Sequence, residues 1–68
     1  MQQMIQEFEQ ILSRSGKNRL NGINAALEFL VGKYSIEQTN SICPYISKRL
    51  GVAEWIVRGD IIQRYRRM

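Results

Sequence analysis

The sequence predicts an all-α fold, a compact bundle of about five helices containing a helix-turn-helix. Three observations predict it. Apolar residues recur at three- and four-residue intervals along most of the chain. The β-branched residues never alternate with polar ones as they would in a strand. Pro44 and Gly51 bracket a short helix, and a second begins two or three residues later.

Ile5, Phe8, Ile11 and Leu12 place an amphipathic helix over roughly 3–13. The stretch SRSGKN, Ser13 to Asn18, is the loop that ends it. Leu20, Ile23, Leu27, Leu30 and Val31 mark the core stripe of a second helix, with Ala25 and Ala26 allowing close packing and Gly32 as a stop signal. Ser35 followed by Gln38 has the form of a capping box, which predicts a short third helix over about 36–42. Pro44 opens the fourth, where a missing N–H costs nothing. It ends at Leu50, and Gly51 supplies the positive φ that the turn requires. The fifth helix runs over about 53–66, with Val57, Ile61 and Arg64 or Tyr65 at core spacing. Ile46, Leu50, Val52, Val57 and Ile61 are expected to hold the fourth and fifth helices together.

With 68 residues, 44% of them apolar, the chain can build one small core. The expectation is therefore one domain over 1–68, with the helix-turn-helix over about 44–66. Such a core is marginal, so a homodimer or a partner regulatory protein that covers apolar surface is expected. There is no His, and Cys43 is the lone cysteine, which argues against an internal disulfide or a zinc site with several Cys or His ligands. A single thiol, an acidic amphipathic start unlike a signal peptide and no long apolar run point to a cytoplasmic protein that does not enter membranes. No nucleophile stands with a base, and there is no phosphate-binding glycine loop or plausible carboxylate pair. Neither enzymatic activity, a cofactor, a metal nor a small-molecule substrate is expected.

The net charge of +4 is unevenly placed. Through Ile46, Arg14, Lys17, Arg19 and Lys33 balance Glu7, Glu9, Glu28 and Glu37. From Ser47 onward, Lys48, Arg49, Arg58, Arg64, Arg66 and Arg67 face only Glu54 and Asp60. The excess therefore lies on the helix-turn-helix half. It suits either a phosphate polyanion or a solvated, solubilising face.

The same half resembles the DNA-binding C-terminal effector domain of the sporulation master response regulator, stage-zero sporulation protein A. That family carries a motif close to Y-P-x-I-A-K-x-F, a turn, and a recognition helix with V-x-x-x-I spacing. Here Cys43, Pro44, Ile46, Ser47, Lys48 and Leu50 stand at the motif, followed by Val57 and Ile61. Gly22, Glu28 and Leu30 fall at the intervals of the family's upstream helix. The similarity spans about Leu20 to Tyr65, with a shorter loop around Tyr34 to Thr39. It implies a free-standing effector module without the family's phosphoacceptor receiver domain. At the base-contacting positions, Ile56, Arg58 and Gly59 replace arginine, glutamate and arginine, while Ile62 and Gln63 replace arginine and histidine. The family's target sequence is therefore not transferable.

The resemblance and the charge together predict a small DNA-binding transcriptional regulator that places the helix over about 53–66 in the major groove of double-stranded DNA. Arg58 is the residue expected to read a base directly, through its bidentate fork and a position expected to lie opposite Val57 and Ile61. Gln63 suits adenine and Ile56 a thymine methyl. Lys48, Arg49 and Arg64 are expected at phosphates, the alternative being surface solubility. Trp55 either reaches a base edge or closes the core, with packing favoured. Gly59, at a cost of about 1 kcal/mol inside a helix, implies a close approach by another surface or else drift. Trp55, Ile56, Gly59 and Ile62 are unusually apolar for a DNA-facing helix. The alternative reading is a protein-protein interaction adaptor or antagonist using that face.

Overall fold

In the computed structural model, which describes residues 2–14, 16 and 18–67, every regular element is a helix. These are α1 (Gln2–Arg14), α2 (Arg19–Lys33), α3 (Ile36–Ser41), α4 (Cys43–Leu50) and α5 (Glu54–Arg66). Met1, Ser15, Lys17 and Met68 lie outside the described residues, so the expected loop around Ser15 and Lys17 is described only at Gly16 and Asn18. None of the described helices is long and apolar enough to cross a membrane.

Local chemistry sets most of the boundaries. Asn18 caps α2 by accepting from the Asn21 N–H. The helix continues through Gly32 and ends where Tyr34 turns extended. Ser35 and Gln38 form the reciprocal capping box at α3. Pro44 is the second residue of α4, because Cys43 already has helical geometry. An N–H lost there is still one of the helix's free donors. Gly51 closes α4 with φ 72°, and the Gly51 and Val52 N–H groups both return to the Ser47 carbonyl. The chain then needs only Val52 and Ala53 before α5 begins.

The core is assembled from four helices and the α3–α4 junction. Met4 and Phe8 come from α1, Ala26, Leu27, Leu30 and Val31 from α2, Ile42 from the junction, Cys43 and Ile46 from α4, and Val57 and Ile61 from α5. Burying a side chain such as Phe8, Leu30 or Ile61 stabilises by roughly 1.5–3 kcal/mol. Cys43 packs as a small apolar residue, donating to the Asn40 side chain, and burial pushes its thiol pKa up against the opposing Arg58 guanidinium. Two expected core residues differ. Leu20 is 79% exposed and Val52 is 40% exposed, so neither joins the core formed by the described residues.

Polar clamps hold the outer helices. Glu7 of α1 accepts from Lys33 at 2.7 Å and from the Tyr34 hydroxyl. Glu9 accepts from the Tyr45 hydroxyl and from Arg49 at 2.9 Å. Arg49, expected at phosphate, is thus engaged with α1. The buried Thr39 hydroxyl pairs with the Tyr65 hydroxyl at 2.7 Å, and Tyr65 donates to the Tyr34 carbonyl at 2.7 Å. No buried side-chain N or O atom among the described residues lacks a partner.

Two outcomes test this framework. Gly51→Ala places a Cβ in open space but forces a left-handed residue, so it should cost about 1–2 kcal/mol. Urea unfolding would register that as a lower midpoint at unchanged slope. Glu7 and Glu9 titrate below their ordinary 4.5, Glu7 chiefly through its bond from Lys33 and Glu9 chiefly through its bond from Tyr45. Depressed carboxylates stabilise fully above the unfolded value, and the contribution is lost as pH falls from 4.5 through the folded values. Unfolding curves between pH 7 and pH 3 should show this loss, and Glu9→Gln should remove the Glu9 share of it while the Glu7 share remains.

Candidate nucleic-acid interface

α5 is apolar on more than one side. Val57 and Ile61 face the core, while Trp55 and Ile56 are exposed at 76% and 47%. A helix of this composition is either wholly buried or offers a surface to something else. Trp55 therefore does not close the core. Its indole stands on the outside of the first turn.

Helical geometry sorts the remaining side chains into three strips. Successive residues turn by about 100°, so Trp55, Gly59, Ile62, Gln63 and Arg66 share the side facing away from Val57 and Ile61. Trp55, Gly59, Gln63 and Arg66 are exposed, and Ile62 is partly so. This outward strip carries no carboxylate. A second strip, Ile56, Asp60 and Arg64, runs at four-residue spacing toward α2. The third, Glu54 and Arg58, lies toward α4, where the Arg58 guanidinium comes near the Cys43 thiol.

Two expected contact residues are corrected by this arrangement. Arg58 is not opposite the core residues, because three positions separate it from Ile61 and the two lie only about 60° apart around the helix. It is half-exposed and paired with Glu54 at 3.1 Å. Arg64, expected at phosphate, has only 9% of its side chain exposed. Its Nη1 donates to Glu28 of α2 at 2.6 Å and its Nε to Asp60 at 2.8 Å. It secures α5 instead of presenting a charge. Asp60, which by default would be a solvated helix residue, is one of its anchors.

Lys48 is exposed at the end of α4 and has no carboxylate partner among the described residues, and the same holds for Arg66 and Arg67. Among the described carboxylates only Glu37 has no ion-pair partner. Gly59 has nothing within 4 Å of where a Cβ would stand and no positive φ. Among the described residues no close approach accounts for it, and the outward strip is left flat between Trp55 and Gln63. No group of His, Cys, Asp and Glu among the described residues is arranged to hold a metal.

Between α2 and the second strip of α5 runs an open groove of about 560 Å³. Ile23, Leu27, Leu50 and Val57 line its interior, and Leu20, Val52 and Ile56 its exposed rim. Sequence reasoning missed it. Leu20 and Val52 are apolar residues at core spacing, and only the assembled bundle shows them exposed.

Comparison of the chain with protein-family models, characterised proteins and solved structures gave no match.

The Arg64 pairing predicts a particular response to substitution. Arg64→Ala leaves Glu28 and Asp60 unpaired, but both are partly exposed and rehydrate, so the loss should be about 1–3 kcal/mol, below that of a fully buried pair. Arg64→Met should recover part of it by filling the apolar flank. Chemical denaturation of both variants checks this.

Proposed function

We propose that this chain is a small regulator that binds double-stranded DNA, with the outward strip of α5 entering the major groove. The observation that carries this reading is the carboxylate-free strip of Trp55, Gly59, Ile62, Gln63 and Arg66 on a helix whose core contacts come from Val57 and Ile61, together with an exposed Lys48 in the last turn of α4 that has no carboxylate partner among the described residues. A polyanion can approach it without meeting like charge.

The strip assigns roles to its residues. Gln63 offers the donor and acceptor pair that fits the major-groove edge of adenine. Ile62 and Trp55 suit thymine methyl groups or sugars, and flat Gly59 lets the helix sit deep. Lys48, Arg66 and Arg67 take flanking phosphates. Arg58 is a flank residue in this pose. Exposed i,i+4 pairs contribute only about 0.3–0.5 kcal/mol, so Arg58 can leave Glu54 for a phosphate at little cost. The likeness to the sporulation effector domain supports the same use of α5, without its target sequence.

A second reading is a protein-interaction adaptor or antagonist of a larger regulator. It is favoured by the exposure of Trp55 and Ile56 and by the Glu54 carboxylate in the first turn of α5. Selection from a random duplex pool, followed by mobility shift over a salt series, separates the two. Recovery of a consensus with steep salt dependence supports the DNA reading, and no shift with any duplex at low salt overturns it.

Gly59→Ala supplies a sharper outcome. The new methyl meets nothing among the described residues and improves helix propensity, so stability should rise by up to about 1 kcal/mol. On a strip pressed against bases the same methyl should weaken duplex affinity. Lys48→Ala should instead weaken all sequences alike and reduce the salt slope by about 1.

A further inference from the structure

The end of α4 gathers cations from two helices. Lys48 and Arg49 stand in its last turn, and Arg19, the first residue of α2, reaches across so that its Nη2 donates to the Leu50 carbonyl at 3.2 Å. That contact joins residues 31 positions apart, so no local spacing rule announces it. Glu9 engages Arg49, whereas Arg19 and Lys48 are exposed and have no carboxylate partner among the described residues. Asp60, which lines the same groove as Arg19, is held by Arg64 at 2.8 Å.

Arg19 does nothing for its own helix. A cation at a helix start opposes the macrodipole, and the first turn of α2 holds no acid to offset it. Its bond to Leu50 lies instead at the negative end of α4, and it uses one N–H of a guanidinium that has five. A helix end carries about half a negative charge, which the two free cations exceed. The carbonyl also holds the fork in place before any anion arrives, which reduces the ordering cost of gripping one. Only Gly51, Val52 and Ala53 separate Leu50 from α5. Arg19 and Ile56 line one groove, and Ile56 is the neighbour of Trp55 at the head of the outward strip.

We infer that the end of α4 is a phosphate-binding patch, in which Arg19 and Lys48 hold the duplex backbone beside the start of α5. The inference rests on the DNA reading above and adds to it a contact supplied by α2.

Mobility shift of a mixed-sequence duplex over a salt series tests it. Arg19→Gln should weaken binding roughly 5-fold or more at about 0.1 M salt and lower the salt slope by about 0.9, the loss of one phosphate contact. Arg19→Lys keeps the charge and should keep the slope. Gln3→Glu is the control, because it changes net charge by the same unit at the far end of the molecule. Glu7 pairs with Lys33, so the start of α1 lies against the end of α2, about 20 Å along that helix from Arg19 and beyond the screening length of about 10 Å. It should leave the slope unchanged. Urea unfolding of the same variants isolates a purely structural role, since losing the Leu50 bond lowers the unfolding midpoint without touching the salt slope. If the wild type shifts DNA and Arg19→Gln keeps the slope of Gln3→Glu, the patch alone is overturned. A wild type that shifts no duplex at low salt overturns the DNA reading and the patch with it.

Discussion

The guanidinium of Arg64 is the fastening on which the presentation of α5 depends. It sits almost wholly buried between Glu28 of α2 and Asp60 of its own helix. A buried cation must be paired, since an unpaired charge in such a place costs several kcal/mol. The bond to Glu28 of α2 therefore ties the rotation of α5 to its neighbour, while Asp60, on α5 itself, holds the guanidinium in position. Tyr65, one residue on, adds a second clamp to Thr39 and the Tyr34 carbonyl. With the rotation fixed, Val57 and Ile61 point inward, Ile56 meets the groove, and Trp55, Gly59 and Gln63 are turned outward.

The distribution of charge follows from the same pairing. Lys33, Arg49, Arg58 and Arg64 are engaged with five carboxylates. The positive potential that remains arises among the described residues from Arg14, Arg19, Lys48, Arg66 and Arg67. Net charge alone would spread it over ten cations. Of those that remain, Arg66 lies on the outward strip, Arg67 follows it directly and Lys48 is in the last turn of α4. Glu9 illustrates how a distant segment shapes this field, because it draws Arg49 back toward α1 from the edge of the helix pair.

What was legible in the sequence was local. The turn at Gly51, the box at Ser35 and Gln38 and the proline in the first turn of α4 each depend on a few adjacent residues, so their chemistry can be read without coordinates. The core positions of Phe8, Leu30, Ile46 and Ile61 follow from periodicity. The errors arose where a side chain's fate depends on residues far along the chain. Helical spacing set Arg64 or Tyr65 toward the core, but Arg64 meets Glu28 across 36 positions, and no spacing rule anticipates that partner. Leu20 and Val52 have core spacing, but whether a neighbour exists to cover them is a property of the assembled bundle. The misplacement of Arg58 was different, since helical geometry alone sets it on a flank.

One consequence of the exposed indole remains. Trp55 is the chain's single tryptophan and stands exposed at the start of the surface most in question. Its emission comes from one site in one setting, with water as the starting condition. Whatever settles on α5 must dry that ring or stack on it, so the protein carries an intrinsic optical reporter of its own occupancy.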